Sequence, residues 1–137
     1  PTLIGLHYLI TADAFPVAGE WVPWRTIPGA AVYQAAFRRR SIDIILAAFA
    51  SDPEGLRKAG AAIGGAPLSM GDVSFGLDAL PRLPVACVLW LGDDEQEAEA
   101  NVLFDASAPH YLPTEDLAAL STMVALSLVG AKKGTRQ

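Results

Sequence analysis

Apolar positions recur at helical spacing in the first half of the chain and at strand spacing in the second half. The pattern predicts helices over four segments of the first half: residues 2–12, 30–39, 42–50 and from 53 up to Gly64. Ser41 precedes the third of these as an N-cap, since its hydroxyl can accept a hydrogen bond from an exposed backbone amide. Asp52 followed by Pro53 is typical of a helix start, because proline at the first helical position loses no hydrogen bond.

The second half reads mainly as strands. Residues 72–78 alternate between apolar and polar side chains, which is typical of a half-buried strand. Residues 85–91 form a continuous apolar run, as in a central strand covered on both faces, and residues 98–104 form a further strand. Residues 20–27 favour a strand too, but Pro23 confines it to a sheet edge or a bulge. Thr114 caps a last helix, which leads into a frayed tail from residue 131.

Because helices gather in the first half and strands in the second, the strands should pair antiparallel with their neighbours. We therefore predict an α+β fold, with an antiparallel sheet of about four strands and helices packed on one of its faces. A length of 137 residues fits a single domain over residues 1–137. The chain begins with Pro1 rather than Met, which indicates a fragment, a processed chain or an incomplete record that lacks an upstream segment.

Composition and charge exclude several classes of function. The net charge of −5 argues against nucleic-acid binding, and the basic run Arg38–Arg40 is expected to complement the dipole at a helix end. No secretory signal is evident, and the apolar run 85–91 is too short to span a membrane, so we expect a cytoplasmic protein. Cys87 is the single cysteine, which excludes an internal disulfide and an all-cysteine iron–sulfur or zinc site within this chain.

Two groups of side chains could bind a cofactor. His7 could ligate a metal or a tetrapyrrole or carry a proton, or it could be a partly buried histidine that donates to a backbone carbonyl. Trp21, Trp24 and Arg25 combine aromatic rings with a guanidinium that can grip a carboxylate or phosphate. Alternatively, the two tryptophans close the core and Arg25 pairs with a surface acid.

The acidic residues allow a different chemistry. Acidic side chains gather at the turn around Asp93, and hard cations bind oxygen ligands, but the spacing matches no calcium loop. A solvated turn that keeps a sheet edge soluble is the simpler interpretation, so no metal site is predicted. Asp105 ends a strand, whereas Glu115 and Asp116 place negative charge in the first turn of the last helix. Cys87 lies in the most apolar strand, where burial would raise the pKa of its thiol.

Seven short segments occur in an order that resembles one family. They are HYL at 7–9, GEWV at 19–22, the PG turn at 28–29 with Tyr33 and Phe37, PRLP at 81–84, LGDDE at 91–95, LFD at 103–105 and YLPTED at 111–116. Together they resemble the Domain of Unknown Function 3786 family of anaerobic bacteria and archaea, over nearly the whole chain. Polar or aromatic positions that match these segments are His7, Trp21, Arg82, Asp93, Glu95, Asp105, Glu115 and Asp116.

The resemblance implies a context rather than an activity. Members of this family commonly carry an extra N-terminal segment, sometimes an iron–sulfur module like that of corrinoid proteins of one-carbon metabolism. This chain begins after the place where such a segment would end, so the cluster and a leading strand would both be missing from it. The resemblance implies no catalytic residue, because no activity is established for the family.

Three functions follow as hypotheses. The first is a non-enzymatic module of anaerobic redox or one-carbon metabolism, which holds a corrinoid or haem or docks onto an iron–sulfur or corrinoid protein. Its binding residues would be His7, Trp21, Trp24, Arg25 and Arg82. The second is an enzyme that uses Asp93, Asp105 and Glu115 as acid and base, which requires carboxylates in one cleft with pKa values pushed apart. The third is a protein-interaction domain with Trp21 and Trp24 at the interface.

Overall fold

The structure, a computed structural model, describes residues 20–80 and 83–135. The helix expected over residues 2–12, with His7, lies outside these ranges, and so does Arg82. The described elements are, in chain order, β1 (Trp21–Pro23), α1 (Ala30–Phe37), α2 (Asp43–Phe49), α3 (Pro53–Ala62), β2 (Ala66–Pro67), β3 (Val73–Leu80), β4 (Leu83–Trp90), β5 (Glu99–Asp105), α4 (Ala108–Tyr111) and α5 (Thr114–Thr135). The predicted α+β class is confirmed.

The strands form one antiparallel sheet in the order β1-β5-β4-β3-β2. Over the described ranges the sheet therefore has five strands, where about four were expected. The additional strand, β2, comprises only Ala66 and Pro67, and two residues are too few for an alternating pattern to show in the sequence. Among the described strands, β1 lies at the edge and pairs with β5 alone, which agrees with the prediction that Pro23 belongs to a sheet edge or a bulge.

Strand β4 lies at the centre of the sheet and is covered on both faces. Every residue from Val85 to Leu89 is fully buried, which confirms the interpretation of the apolar run as a central strand. Val85, Cys87 and Leu89 belong to the main core cluster beneath the helices, and Ala86 and Val88 alternate to the other face. On that second face, Trp21 and Leu68 both reach towards Gly76 in β3.

The ends of α3 agree with the local signals in the sequence. The side chain of Asp52 accepts a hydrogen bond from the amide of Gly55 at 3.0 Å, and Pro53 is the first helical residue. After the helix, Gly64 takes a left-handed backbone with φ of 94°, a conformation that favours glycine. Both helix boundaries were therefore predictable.

Helices α1 and α2 are joined without a break by a π-helical turn over Arg38–Ile42. The prediction that a helix ends at the arginine run and that Ser41 caps the next one is wrong. Ser41 is fully buried and caps no helix, and its hydroxyl has no hydrogen-bond partner among the described residues. The extra residue of the π-turn keeps the chain helical while it shifts the buried face, so that Phe37, Ile42 and Ile45 all reach the core.

The last helix is longer and more regular than expected. It continues from Thr114 to Thr135, and the hydroxyls of Ser121 and Thr122 are satisfied inside it because they donate to the carbonyls of Leu117 and Ala118. Residues 114–133 are long and apolar enough to cross a membrane, although 39% of the tested stretch is buried inside the domain. The buried stripe along this helix is compatible with a core helix of a soluble domain, and a cytoplasmic location stays a prediction.

The ends of α5 are held by contacts with distant segments. Thr114 does not act as the expected cap, since its hydroxyl donates to the carbonyl of Pro28. The expectation of a frayed tail from residue 131 is wrong for residues 131 and 132, because the side chain of Lys132 is held by three contacts. The ammonium of Lys132 donates to the carbonyl of Ala48, lies 3.3 Å from a carboxylate oxygen of Asp52 and sits 5.1 Å from the ring centre of Phe49. The cation therefore neutralises the negative end of α2.

Candidate functional site

A recess of about 230 Å³ opens beside the first half of β5. Strand β1 pairs with residues 103–105 of β5 and then leaves the sheet, so residues 99–102 have no strand on this side within residues 20–80 and 83–135. The chain turns away at Pro23 through a 3-10 turn over Trp24–Thr26. The recess lies between this turn, the π-helical turn and the beginning of β5.

Two stacked aromatic rings line the inner wall of the recess. Trp24 and Phe37 lie parallel with ring centres 4.5 Å apart, and both rings are buried. The indole N–H of Trp24 donates to the carbonyl of Ala30 at 3.2 Å, so its polar atom is satisfied within the core. This burial explains why β1 is so short: the strand expected over residues 20–27 is given up so that Trp24 can enter the core.

A network of charges crosses the mouth of the recess. Nη1 of Arg38 lies 3.0 Å and 3.1 Å from the two carboxylate oxygens of Glu99, and Nε donates to Asp43 at 3.2 Å. The hydrogen bond to Glu99 raises the pKa of Arg38, against the opposing effect of partial burial. For Glu99, partial burial on its own would raise the pKa. The amide of Ala100 and the guanidinium of Arg38 outweigh it, so the pKa of Glu99 is lowered.

Arg25 lines the same recess and is exposed. Within residues 20–80 and 83–135 it makes no ion pair, whereas Arg38 has two acidic partners. A guanidinium in this setting keeps its hydrogen-bond donors available for a carboxylate or a phosphate. Of the residues expected to bind a cofactor, Trp24 and Arg25 thus share one site, but Trp24 is a core residue there rather than an open ring face.

Trp21 lies elsewhere. The register places it opposite Asp105, on the face of the sheet that carries Gly76 rather than on the face beneath the helices. A Cβ atom on Gly76 would lie 3.4 Å from Cζ2 of Trp21, so the indole covers the second face of the sheet. Trp21 and Trp24 therefore do not form one aromatic patch.

The acidic candidates are distributed over the domain. Asp93 accepts hydrogen bonds from the amides of Glu95 and Gln96, each at 2.8 Å, and these bonds lower the pKa of Asp93. Asp93 thus orders the solvated turn between β4 and β5. Asp105 lies at the other end of β5, a strand about 20 Å long, where it is buried and accepts from the amide and hydroxyl of Ser107.

Glu115 and Asp116 both lie in the first turn of α5, where Glu115 is exposed and Asp116 is buried. Neither of them lines the recess, and the same holds for Asp93 and Asp105. Across the part of the chain that the structure describes, no three His, Cys, Asp or Glu side chains cluster so that they could hold a metal ion.

Sequence reasoning missed Glu99, Arg38, Asn101 and Trp90 as recess residues. Glu99 was grouped with the acidic turn and Arg38 with a helix end. The available signal was the alternation in β5: Glu99 and Asn101 flank the buried Ala100 and Val102, as polar positions at an open margin would. That Arg38 reaches Glu99, sixty-one residues further along the chain, has no local signal.

These features define a small α+β domain with an arginine-lined recess at the margin of an antiparallel sheet. The chain belongs to the family described as Domain of unknown function (DUF3786), whose family model matches residues 2–127. The resemblance seen in the sequence is thereby confirmed. Comparison with curated proteins and with solved structures gives no match.

Proposed function

We propose that this domain is a non-enzymatic accessory module that docks onto a partner protein by accepting an acidic group in the β5 recess. One observation carries the proposal: Arg25, exposed and without an ion pair in the described part of the chain, shares the recess with Arg38 and with an incomplete sheet edge. The protein as a whole carries a net charge of −5, so an exposed arginine without an acidic partner in the described part of the chain is a distinctive feature of this site.

The size of the recess favours docking over the storage of a large cofactor. Its volume of about 230 Å³ falls below the usual lower bound of about 300 Å³ for small-molecule pockets, and a tetrapyrrole needs far more. A corrinoid or iron–sulfur protein of anaerobic metabolism, which the family resemblance suggests, is the partner that we propose. Corrinoid or haem binding through His7 and Arg82 stays the alternative.

The enzyme hypothesis receives less support. Acid–base catalysis by carboxylates requires two of them in one cleft, with their pKa values pushed apart by the surroundings. Asp93 is a solvated turn residue at one end of β5, and Asp105 is a buried residue at the other end. Glu115, the third candidate, is exposed in the first turn of α5 and does not line the recess.

Titration of the full chain with a soluble glutamate-rich peptide tests the proposal. The fluorescence of Trp24 and Trp90, which line the recess, reports binding. Binding should saturate, weaken with added salt and weaken about twofold to fivefold in Arg25→Glu, the range of one exposed ion pair. Lys58→Glu, the same charge change at an exposed position on α3, is the matched control and should bind as the wild type does. Equal affinity of the two variants, or no binding, would refute the proposal.

The cofactor alternative has its own experiment. Protein purified without oxygen should show no visible absorption band, and added hydroxocobalamin or haemin should separate from it during gel filtration. A retained band that disappears in His7→Ala would instead assign the domain as a cofactor holder.

A further inference from the structure

Among the described residues, none pairs with residues 99–102 of β5 on the β1 side. Ala100 and Asn101 line the recess there, whereas Val102 is fully buried. In an antiparallel strand, alternate residues direct their N–H and C=O groups to opposite sides. The amide of Ala106 donates to the carbonyl of Glu20, on the β1 side of β5, at 2.8 Å. Ala100 and Val102 lie an even number of residues before Ala106, so their N–H and C=O groups point to the β1 side as well. Two backbone amides therefore face a position where β1 would continue if it did not end at Pro23.

Both amides are capped by the side chain that precedes them instead of by a strand. Ala100 N–H donates to the carboxylate of Glu99 at 3.0 Å, and Val102 N–H donates to the amide oxygen of Asn101 at 2.9 Å. Such caps satisfy the backbone N–H donors without a neighbouring strand, and they protect an edge strand from non-specific pairing with other chains. The carbonyl oxygens of an added strand would accept from the same N–H groups, and at the fully buried Val102 the capping side chain of Asn101 has to move aside first.

The ion pair between Arg38 and Glu99 closes the edge in the unbound protein. Ala100 and Val102 face the helices, so Glu99 lies on the opposite face of the sheet, while Arg38 comes from the helical layer. Their contact at 3.0 Å consequently passes in front of the strand margin. The carboxylate of Glu99 binds both Arg38 and the amide of Ala100. An acidic ligand that entered the recess would offer the same kind of group to the same two partners.

We propose that the occupant of this margin is an extended, acidic peptide segment of the partner protein, which adds to β5 as a further strand beyond the end of β1. This inference rests on the proposed docking function and specifies the partner's chemistry. The segment's main-chain carbonyls accept from Ala100 and Val102, and its acidic side chains bind Arg25 and take the place of Glu99 on Arg38. Main-chain bonds give affinity in strand addition, and the side-chain sites give selectivity.

A set of short capped peptides separates main-chain pairing from charge attraction. The parent peptide alternates glutamate with valine. A second peptide has the same sequence with methylated backbone nitrogens, which blocks strand pairing, and a third has lysine in place of glutamate. Each is titrated into the full chain, with amide spectra and hydrogen exchange read at Ala100 and Val102. Single-stranded oligothymidylate is the probe for a phosphate backbone, and sedimentation without peptide is the probe for self-pairing.

The parent peptide should slow hydrogen exchange at both amides, whereas the methylated and lysine forms should bind at least about tenfold more weakly. Glu99→Gln should tighten binding of the parent about twofold to fivefold, because the competing carboxylate is removed while the hydrogen-bonding shape remains. If the methylated peptide binds as the parent does and Arg25→Glu weakens both, docking by charge stands and strand addition is refuted. If no peptide binds, the proposed function fails as well. Equal binding of oligothymidylate, or self-association that protects the same amides, would overturn the acidic-peptide occupant.

Discussion

Gly60 of α3 and Phe75 of β3 approach so closely that no side chain fits between the helix and the sheet. A Cβ atom on Gly60 would lie 2.5 Å from Cε1 of Phe75, well inside van der Waals contact with a buried ring. Gly60→Ala should therefore lower the free energy of unfolding by about 1–3 kcal/mol, the usual range for an overpacked core. Chemical denaturation monitored by circular dichroism measures the change.

Gly130 provides the control for that substitution. It also lies in a helix, α5, but is exposed, and an added Cβ would meet no atom within 4 Å. Gly130→Ala should raise stability by about 0.5–1 kcal/mol, since alanine restricts the unfolded chain and favours helix. If both variants are stabilised alike, the contact between α3 and β3 is looser than described.

The buried hydroxyl of Ser41 is predicted to destabilise the protein. It is fully buried and finds no hydrogen-bond partner in the part of the chain that the structure describes, and a polar group in that state costs about 1–3 kcal/mol relative to water. Ser41→Ala removes the hydroxyl with almost no change in shape, so the melting temperature should rise. Ser121→Ala is the comparison, because that buried hydroxyl donates to Leu117 at 3.0 Å and its loss should not stabilise. A lower melting temperature for Ser41→Ala would show that the hydroxyl is satisfied.

Glu99 should contribute to the acid sensitivity of the fold. Its pKa is lowered in the folded protein, so its stabilising effect is present above its ordinary unfolded value of about 4.3 and is lost as the pH falls through the folded value. Wild type and Glu99→Gln should thus differ more in unfolding free energy at neutral pH than at strongly acidic pH. Because the pair is half exposed, the difference should stay below about 1 kcal/mol. A difference independent of pH would contradict this role.

Cys87 should report the opening of the central sheet. Burial raises the pKa of Cys87 to about 12, so at pH 8 the thiol is both protonated and shielded. A thiol reagent should label the native protein only at the rate of unfolding and the denatured protein at once, as read by mass spectrometry. Gly60→Ala should accelerate the labelling and Gly130→Ala should slow it. Rapid labelling of the stable native protein would place Cys87 outside the core.

The sequence predicts those elements whose pattern is local. Strand β3 alternates, β4 is continuously apolar, and α3 begins at Asp52-Pro53 and ends before Gly64, so each is predictable from its own segment of the sequence. The π-turn was missed because a single inserted residue changes which face is buried without a break in composition. Strand β1 was predicted too long, since the stacking of Trp24 on Phe37 competes with pairing and depends on a helix elsewhere in the chain.

The recess was only half predictable for the same reason. The arginine beside two tryptophans indicated Arg25 and Trp24, and both do line the recess. The residues that complete it come from the helical turn and from β5, and their meeting depends on the tertiary arrangement rather than on spacing. An early end of β1 creates the site, and the sequence signals only that Pro23 stands near it.

The short length of the open margin has a consequence for any partner that binds there. Residues 99–102 offer a ladder of only a few bonds, in contrast with the longer pairing between β3 and β4. A complex formed there buries little surface area and depends on exposed charges. It should therefore dissociate rapidly, and its affinity should fall steeply as the ionic strength rises. This geometry suits repeated, short-lived encounters better than permanent assembly.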